Sequence, residues 1–190
     1  LEFNKYEYSL VRWSEKDSAL FLWKYYTYRR LIRGISMETE LKFRMATEKD
    51  LERIVGLLAD DLLGSKRERY EDPLPLSYRK AFDAISIDPN NELVVACDGD
   101  EVIGVLQITF TPYITHQGGW RATIEGVRTA ASVRGQGVGS KLINWAIQRA
   151  EQRECHLVQL TTDKRRPDAL RFYEQLGFNA THEGLKLSLK

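Results

Sequence analysis

The chain has 190 residues, 43% of them hydrophobic and 29% charged, with 28 basic side chains against 27 acidic ones. That length suits one domain, able to bury roughly 70% of the surface of its unfolded chain. A net charge near zero speaks against wholesale binding to nucleic acid or to anionic membrane, which both need a basic excess.

No apolar run approaches the roughly 20 residues that span a bilayer. The N-terminus lacks the basic start, apolar core and small-residue cleavage site of a secretory signal. Cys97 and Cys155 fit no metal or redox spacing, so free thiols in a reducing cytoplasm are expected.

Residues 1–36 are dense in aromatics (Phe3, Tyr6, Tyr8, Trp13, Phe21, Trp23, Tyr25, Tyr26, Tyr28) and close on Arg29, Arg30 and Arg33. They read as an extension or tag before a domain that starts at Met37, giving domains 1–36 and 37–190. The rival reading is a helix over 18–33 docked on that domain, and contact with nucleic acid is a third. After Met37, Leu41–Arg44 is strand-like. Thr47 is an N-cap for a helix carrying Leu51, Ile54, Val55, Leu58 and Leu62 on one face. A second helix is predicted over 77–87. Residues 92–97 and 101–110 form a hairpin on the turn Asp98-Gly99-Asp100. A polar loop over 111–119 leads to a strand over 121–129. A glycine-rich turn, a helix to about 153, and a strand over 156–162 follow. Pro167 starts a helix that Gly177 ends, and a last strand covers 184–189. This order predicts an α/β or α+β fold with a mixed sheet and helices on both faces.

The stretch from Val127 to Ser140 carries the chemistry. Arg134, Gly135, Gln136, Gly137, Val138, Gly139 and Ser140 join a strand to a helix. Glycines there let several backbone N–H groups converge on one anion. The helix N-terminus adds about half a positive charge, and Arg134 adds a full one. This is a phosphate or pyrophosphate cradle. The order Gly139-Ser140-Lys141 is wrong for a P-loop, and G-x-G-x-G this late in the chain is not a dinucleotide fingerprint. Asp163, after the next strand, stands as a remote imitation of that fingerprint's ribose-binding acid.

Arg134-x-x-Gly137-x-Gly139 resembles the acetyl-CoA signature of the GNAT superfamily of N-acetyltransferases. A second segment, Ala169-Leu170-Arg171-Phe172-Tyr173-Glu174-Gln175-Leu176-Gly177-Phe178, is similar to that family's A-x-x-F-Y-x-x-x-G-F run. The resemblance covers about residues 41–189. It implies a single domain with a mixed central sheet of about six or seven strands and about four helices. It implies acetyl-CoA as co-substrate and no metal. The backbone of Val127, Arg128 and Thr129 would pair with the pantetheine arm, with Arg134 to Ser140 around the pyrophosphate. The family often has Asn where this chain has Arg166, which removes an amide and offers a guanidinium to a cofactor phosphate.

Acetyl transfer needs a deprotonated amine, and an amine of pKa about 10.4 costs roughly 4 to 5 kcal/mol to deprotonate at pH 7. Glu125, just before the expected pantetheine strand, is the candidate base, acting through partial burial or a water chain. Tyr173 is the candidate acid for the departing thiolate, and a strand N–H near Val127 is the oxyanion donor. A solvated strand glutamate and a core tyrosine are the bland alternatives. His116 and His182 either line an acceptor pocket or face solvent. Tyr113, Trp120 and residues 72–78 belong to regions that shape the acceptor pocket in such enzymes. The tail 177–184 looks similar to small bacterial members acting on low-molecular-weight amines. The expected function is N-acetylation of a small primary amine in a ternary complex, without nucleic acid or membrane, in a chain that has room to dimerise. The alternatives are a non-catalytic acyl-CoA-binding regulatory module and a nucleic-acid-directed acetyltransferase.

Overall fold

The computed structural model describes residues 41–189. The Met37 start, the helix expected over 18–33 and the aromatic–basic segment lie outside the described residues. Five strands form one sheet in the order β1-β2-β3-β4-β5: β1 (Lys42–Met45), β2 (Asn91–Asp98), β3 (Glu101–Pro112), β4 (Trp120–Thr129) and β5 (Cys155–Leu160). The first four pair antiparallel, and β5 joins β4 in parallel. The β2–β3 hairpin closes at Asp98-Gly99-Asp100, where Gly99 takes φ 59°, the left-handed conformation that favours glycine in a tight turn.

Among the described residues four helices of nine or more residues accompany the sheet, α1 (Leu51–Ala59), α2 (Leu76–Ile87), α3 (Val138–Gln152) and α4 (Pro167–Gln175), and a four-residue turn of helix, Thr115–Gly118, precedes β4. α3 is the crossover that a parallel β4–β5 pair requires. β3 is buried without a break from Val102 to Leu106, so both faces of the sheet are covered there. On one face Leu142 of α3 packs against Gly104. Leu106, Ile108, Ile124, Leu142 and Ile143 are fully buried. Inside this core Glu92 is buried but paired, its carboxylate taking three N–H contacts from Arg149 at 2.7 to 3.0 Å. That pair ties β2 to α3. A single turn of 3-10 helix, Glu48–Asp50, leads into α1. Buried Asp50 accepts the Thr47 N–H and hydroxyl at 2.7 and 2.8 Å and the Arg44 guanidinium at 2.7 and 2.8 Å.

Two expectations are corrected. The α1 helix stops at Ala59, so Leu62 is off its apolar face and 74% exposed. The cause is local. The Asp61 carboxylate accepts the N–H groups of Leu63 and Gly64 at 3.0 and 2.6 Å, a turn that competes with helix continuation. The chain then folds back so closely that a Cβ on Gly64 would lie 2.0 Å from the Leu58 carbonyl oxygen. Second, the sheet has five strands rather than six or seven, because residues 184–189 form no strand. Their alternation is of strand type, yet Leu185, Leu187 and Leu189 are 95%, 87% and 89% exposed, with no apolar layer covering them.

Candidate active site

The site begins where β4 and β5 part. Their parallel register runs from Trp120↔Cys155 to Ile124↔Leu160 and ends there, while β4 continues to Thr129 along β3. The backbone of Glu125 to Thr129 is therefore free of β5. At that point β4 carries a bulge: Glu125 lies opposite Gln107 and Arg128 opposite Val105, so Gly126 and Val127 together oppose Leu106. Gly126 sits at φ 62°, a bulge conformation that favours glycine. Directly opposed residues project to the same side of a sheet, as do residues two apart. Gln107 and Val105 are two apart, so the bulge puts Glu125 and Arg128 on one face. Glu125 is exposed there.

β4 runs straight into the cradle. Gly135 and Gly137 adopt φ 76° and 80°, and nothing lies within 4 Å of a Cβ built on either. The first backbone bond of α3 runs from the Lys141 N–H to the Gly137 carbonyl at 3.0 Å. The N–H groups of Val138, Gly139 and Ser140 therefore point out of the helix end, where an anion accepts them. Arg134 does not yet add its charge freely. Its Nη2 donates to the Asp60 carbonyl at 2.9 Å and to the Asp60 carboxylate at 3.0 Å.

The two sequence motifs meet at Gly139. A Cβ there would lie 3.4 Å from Cζ of Phe172, so the absent side chain lets α4 pack on the first turn of α3. Tyr173 is the next residue. Its helix ends in a Schellman turn: the N–H of Phe178 donates to the Tyr173 carbonyl at 3.1 Å, and that of Gly177 to Glu174 at 3.0 Å. Gly177 takes φ 90°. This turn brings the Phe178 ring edge-on to Tyr173 with centroids 5.9 Å apart, and Phe172 packs at 5.1 Å. Burial pushes the Tyr173 phenol up from its ordinary pKa, while the Arg128 and Arg166 cations pull it back down.

Those two arginines converge on Asp61, just past α1. Arg166 Nη2 lies 2.8 and 2.7 Å from the two carboxylate oxygens, and Arg128 Nε lies 3.2 Å from one of them. That second contact is an ion pair without hydrogen-bond alignment, since Arg128 Nε is buried with no hydrogen-bond partner. Burial alone would raise the Asp61 carboxyl; the Gly64 N–H, Arg166 and Arg128 outweigh it and hold the group below its usual range. Arg128 is depressed, first by burial and then by the Arg166 charge. Arg166, which stands where the resemblance expects Asn, thus holds Asp61.

Other candidates fall elsewhere. His116 stacks on His156 with centroids 4.8 Å apart, by the start of β4 and β5 and away from the cradle. His182 shares a 2.8 Å contact with the Thr181 hydroxyl. Asp163 forms a forked pair with Arg165 at 3.0 and 2.7 Å. Arg121 lies over the Tyr113 ring at 3.9 Å. Among the described residues no group of three or more His, Cys, Asp and Glu side chains could hold a metal. Asp60 and Asp61 were not singled out from sequence. The available signal was two adjacent carboxylates just past a helix in a chain whose two motifs carry arginines. The separation of 105 positions between Asp61 and Arg166 hides their pairing.

Comparison with known proteins agrees with this fold. The profile of the Acetyltransferase (GNAT) family matches residues 46–178. The aminoalkylphosphonate N-acetyltransferase of Salmonella typhimurium is 30% identical over 141 residues, spanning 74% of this chain and 86% of that protein. The crystal structure of a transcriptional regulator from Bacillus halodurans C-125 superposes with a TM-score of 0.77 at 67% identity, covering 79% of this chain and all of that one. An acetyltransferase from Trypanosoma brucei superposes with a TM-score of 0.64 at 26% identity, covering 79% and 100% of the two chains.

Proposed function

The chain belongs to the GNAT acetyltransferase family and is an acyltransferase; on that premise we propose that it acetylates a small primary amine by direct attack on acetyl-CoA in a ternary complex. The observation that carries this is the parting of β4 from β5 after Ile124, immediately before the cradle, with Tyr173 braced beside it. The residues present fit acetyl-CoA: strand backbone at Val127 to Thr129 that β5 leaves unpaired for an amide-bearing arm, and three outward N–H groups on α3 for a pyrophosphate. Acetyl-CoA supplies an activated acyl thioester. Arg134, Gly135, Gln136, Gly137, Val138, Gly139 and Ser140 bind phosphate oxygens, with Arg134 shared between Asp60 and the ligand. A Val127 N–H polarises the acyl oxygen. Glu125, exposed on β4, takes the ammonium proton through water rather than by direct contact. Tyr173 Oη gives its proton to the departing sulfur, and the raised phenol pKa keeps that proton in place at neutral pH.

The Salmonella relative is named for an aminoalkylphosphonate, a small amine, which supports a small acceptor here over a protein. The balanced charge supports a chain acting without nucleic acid or membrane, and the two free thiols suit a reducing cytoplasm. Among the described residues no helix is long and apolar enough to cross a membrane. We take 1–36 as an extension of the catalytic domain 37–190. The open edge of β5 and the strand-patterned residues 184–189 give room for a homodimer, which sedimentation at two protein concentrations tests.

The test of the function is thiol release from acetyl-CoA across a panel of primary amines. Turnover on at least one is expected. The Bacillus halodurans relative is described as a transcriptional regulator, and that description favours a second reading, a regulatory module that binds acyl-CoA. Tight acetyl-CoA binding with no turnover on any amine would establish that reading instead, and no binding at all would end both.

A further inference from the structure

We infer that the acceptor amine carries an acidic group, and that Arg128 and Arg166 bind it beside Tyr173. This rests on the acetyl transfer proposed above and specifies its substrate class. Two guanidiniums share one carboxylate, Asp61, which already accepts the N–H groups of Leu63 and Gly64 and both contacts from Arg166. Three of those contacts fall on Oδ1, while Oδ2, 3.2 Å from Arg128 Nε, is out of hydrogen-bond alignment with it. Arg128 accordingly spends Nη1 on the Val127 carbonyl at 2.7 Å and leaves Nε buried and without a hydrogen-bond acceptor. A buried charged donor without an aligned acceptor is costly, so Arg128 has a donor to offer a further oxygen ligand.

The surplus charge lies where an acceptor must lie. Arg128 shares its face of β4 with Glu125 through the Gly126 bulge, and both arginines act electrostatically on Tyr173. Arg128 and Glu125 stand opposite residues two apart on β3, a span of about 6.8 Å. An amine placed for deprotonation through Glu125 and a carboxylate or phosphonate placed on Arg128 are therefore joined by a short linker. The cradle for the coenzyme's pyrophosphate is a separate set of groups, the turn from Arg134 and the first residues of α3, so the arginine pair is not needed to hold it.

The experiment is steady-state kinetics with three acceptors of similar length: 2-aminoethylphosphonate, β-alanine and ethanolamine. The wild type is expected to prefer the two acidic amines over ethanolamine by roughly 10- to 100-fold in kcat/KM, the range set by one or two charge-assisted hydrogen bonds. Arg166→Gln and Arg128→Gln should collapse that ratio, raising KM for the acidic amines more than KM for acetyl-CoA. Because either change can loosen the Asp61 turn, Asp61→Asn is the second variant. It keeps a side-chain oxygen for the turn and removes the competing charge, so KM for the acidic amines should fall, which a purely structural role would not produce. Equal or better turnover of ethanolamine by the wild type overturns the inference and leaves acetyl transfer standing. A loss that falls on KM for acetyl-CoA instead shows that the arginines serve a coenzyme phosphate and also overturns it. No thiol release with any amine ends the transfer reading, and this inference with it.

Discussion

Gly139 is where the two motifs are locked together, and its substitution gives a graded prediction. A Cβ at this position lies 3.4 Å from Phe172 Cζ and 3.9 Å from Thr129 Cγ2, within ordinary contact distance. Alanine fits. Its better helix propensity offsets any crowding, so Gly139→Ala should stay within about 1 kcal/mol of wild type. Valine extends two carbons about 1.5 Å further, into Phe172 and Thr129. Overpacking of that kind costs about 1 to 3 kcal/mol, and at roughly 2 to 4 °C per kcal/mol for a domain of this size Tm should fall by about 2 to 12 °C. Relief comes by moving α4, which carries Tyr173. A misplacement near 1 Å at a reacting group costs on the order of 100-fold, so kcat should drop about 10- to 100-fold in Gly139→Val and less than threefold in Gly139→Ala. Differential scanning fluorimetry and thiol-release kinetics read both. A valine variant with wild-type Tm and kcat would refute the interlock. An alanine variant as damaged as the valine one would also refute it, since backbone access rather than the Phe172 contact would then matter.

Three further outcomes follow from charge. Asp60→Ala frees Arg134 from its exposed pair at 3.0 Å; such pairs are worth about 0 to 1 kcal/mol, so KM for acetyl-CoA should fall up to about fivefold, and a rise would count against Arg134 as a phosphate ligand. The Asp50 carboxyl is held below its usual range, chiefly by the Arg44 hydrogen bonds, as Asp61 is by Gly64, Arg166 and Arg128 against burial. A depressed folded pKa stabilises above the unfolded value of about 3.9 and loses that stability as pH falls below it. Asp50→Asn should thus lower urea midpoints at pH 7 and shrink the gap to wild type at pH 3; an equal gap at both would refute the linkage. Arg166→Gln should raise the Tyr173 phenol further, because Arg166 pulls it down. Ultraviolet phenolate titration, taken as the difference from Tyr173→Phe in each background, reads the shift, and a downward shift would contradict this electrostatic influence.

What was legible in the sequence was local. The Asp-Gly hairpin, the glycine turn feeding α3, and the Pro167-to-Gly177 helix depend on backbone preferences within a few residues, and all stand where expected. The site is partly of this kind, since the cradle and the Tyr173 helix are continuous motifs. The Arg128–Asp61–Arg166 cluster was not legible, because it joins residues that only the folded sheet brings together. Leu62 fits the α1 period as well as Leu58 does, and only the Asp61 side chain, bonding its own following backbone, decides that the helix ends first. The strand expected over 184–189 is absent, although its residues alternate as a strand does. Alternation specifies a face rather than a partner, and here no strand pairs with it.

The measurement closest to the central claim is kcat for Tyr173→Phe with acetyl-CoA affinity determined by calorimetry on the same preparation. Phenylalanine keeps the ring packed between Phe172 and Phe178 and removes only the proton donor. General-acid assistance is worth about 100- to 10,000-fold, so kcat should fall at least 100-fold with acetyl-CoA affinity within about twofold of wild type. Unchanged kcat on an active amine would contradict Tyr173 as the acid, and lost acetyl-CoA binding would make it a packing residue of the cradle instead.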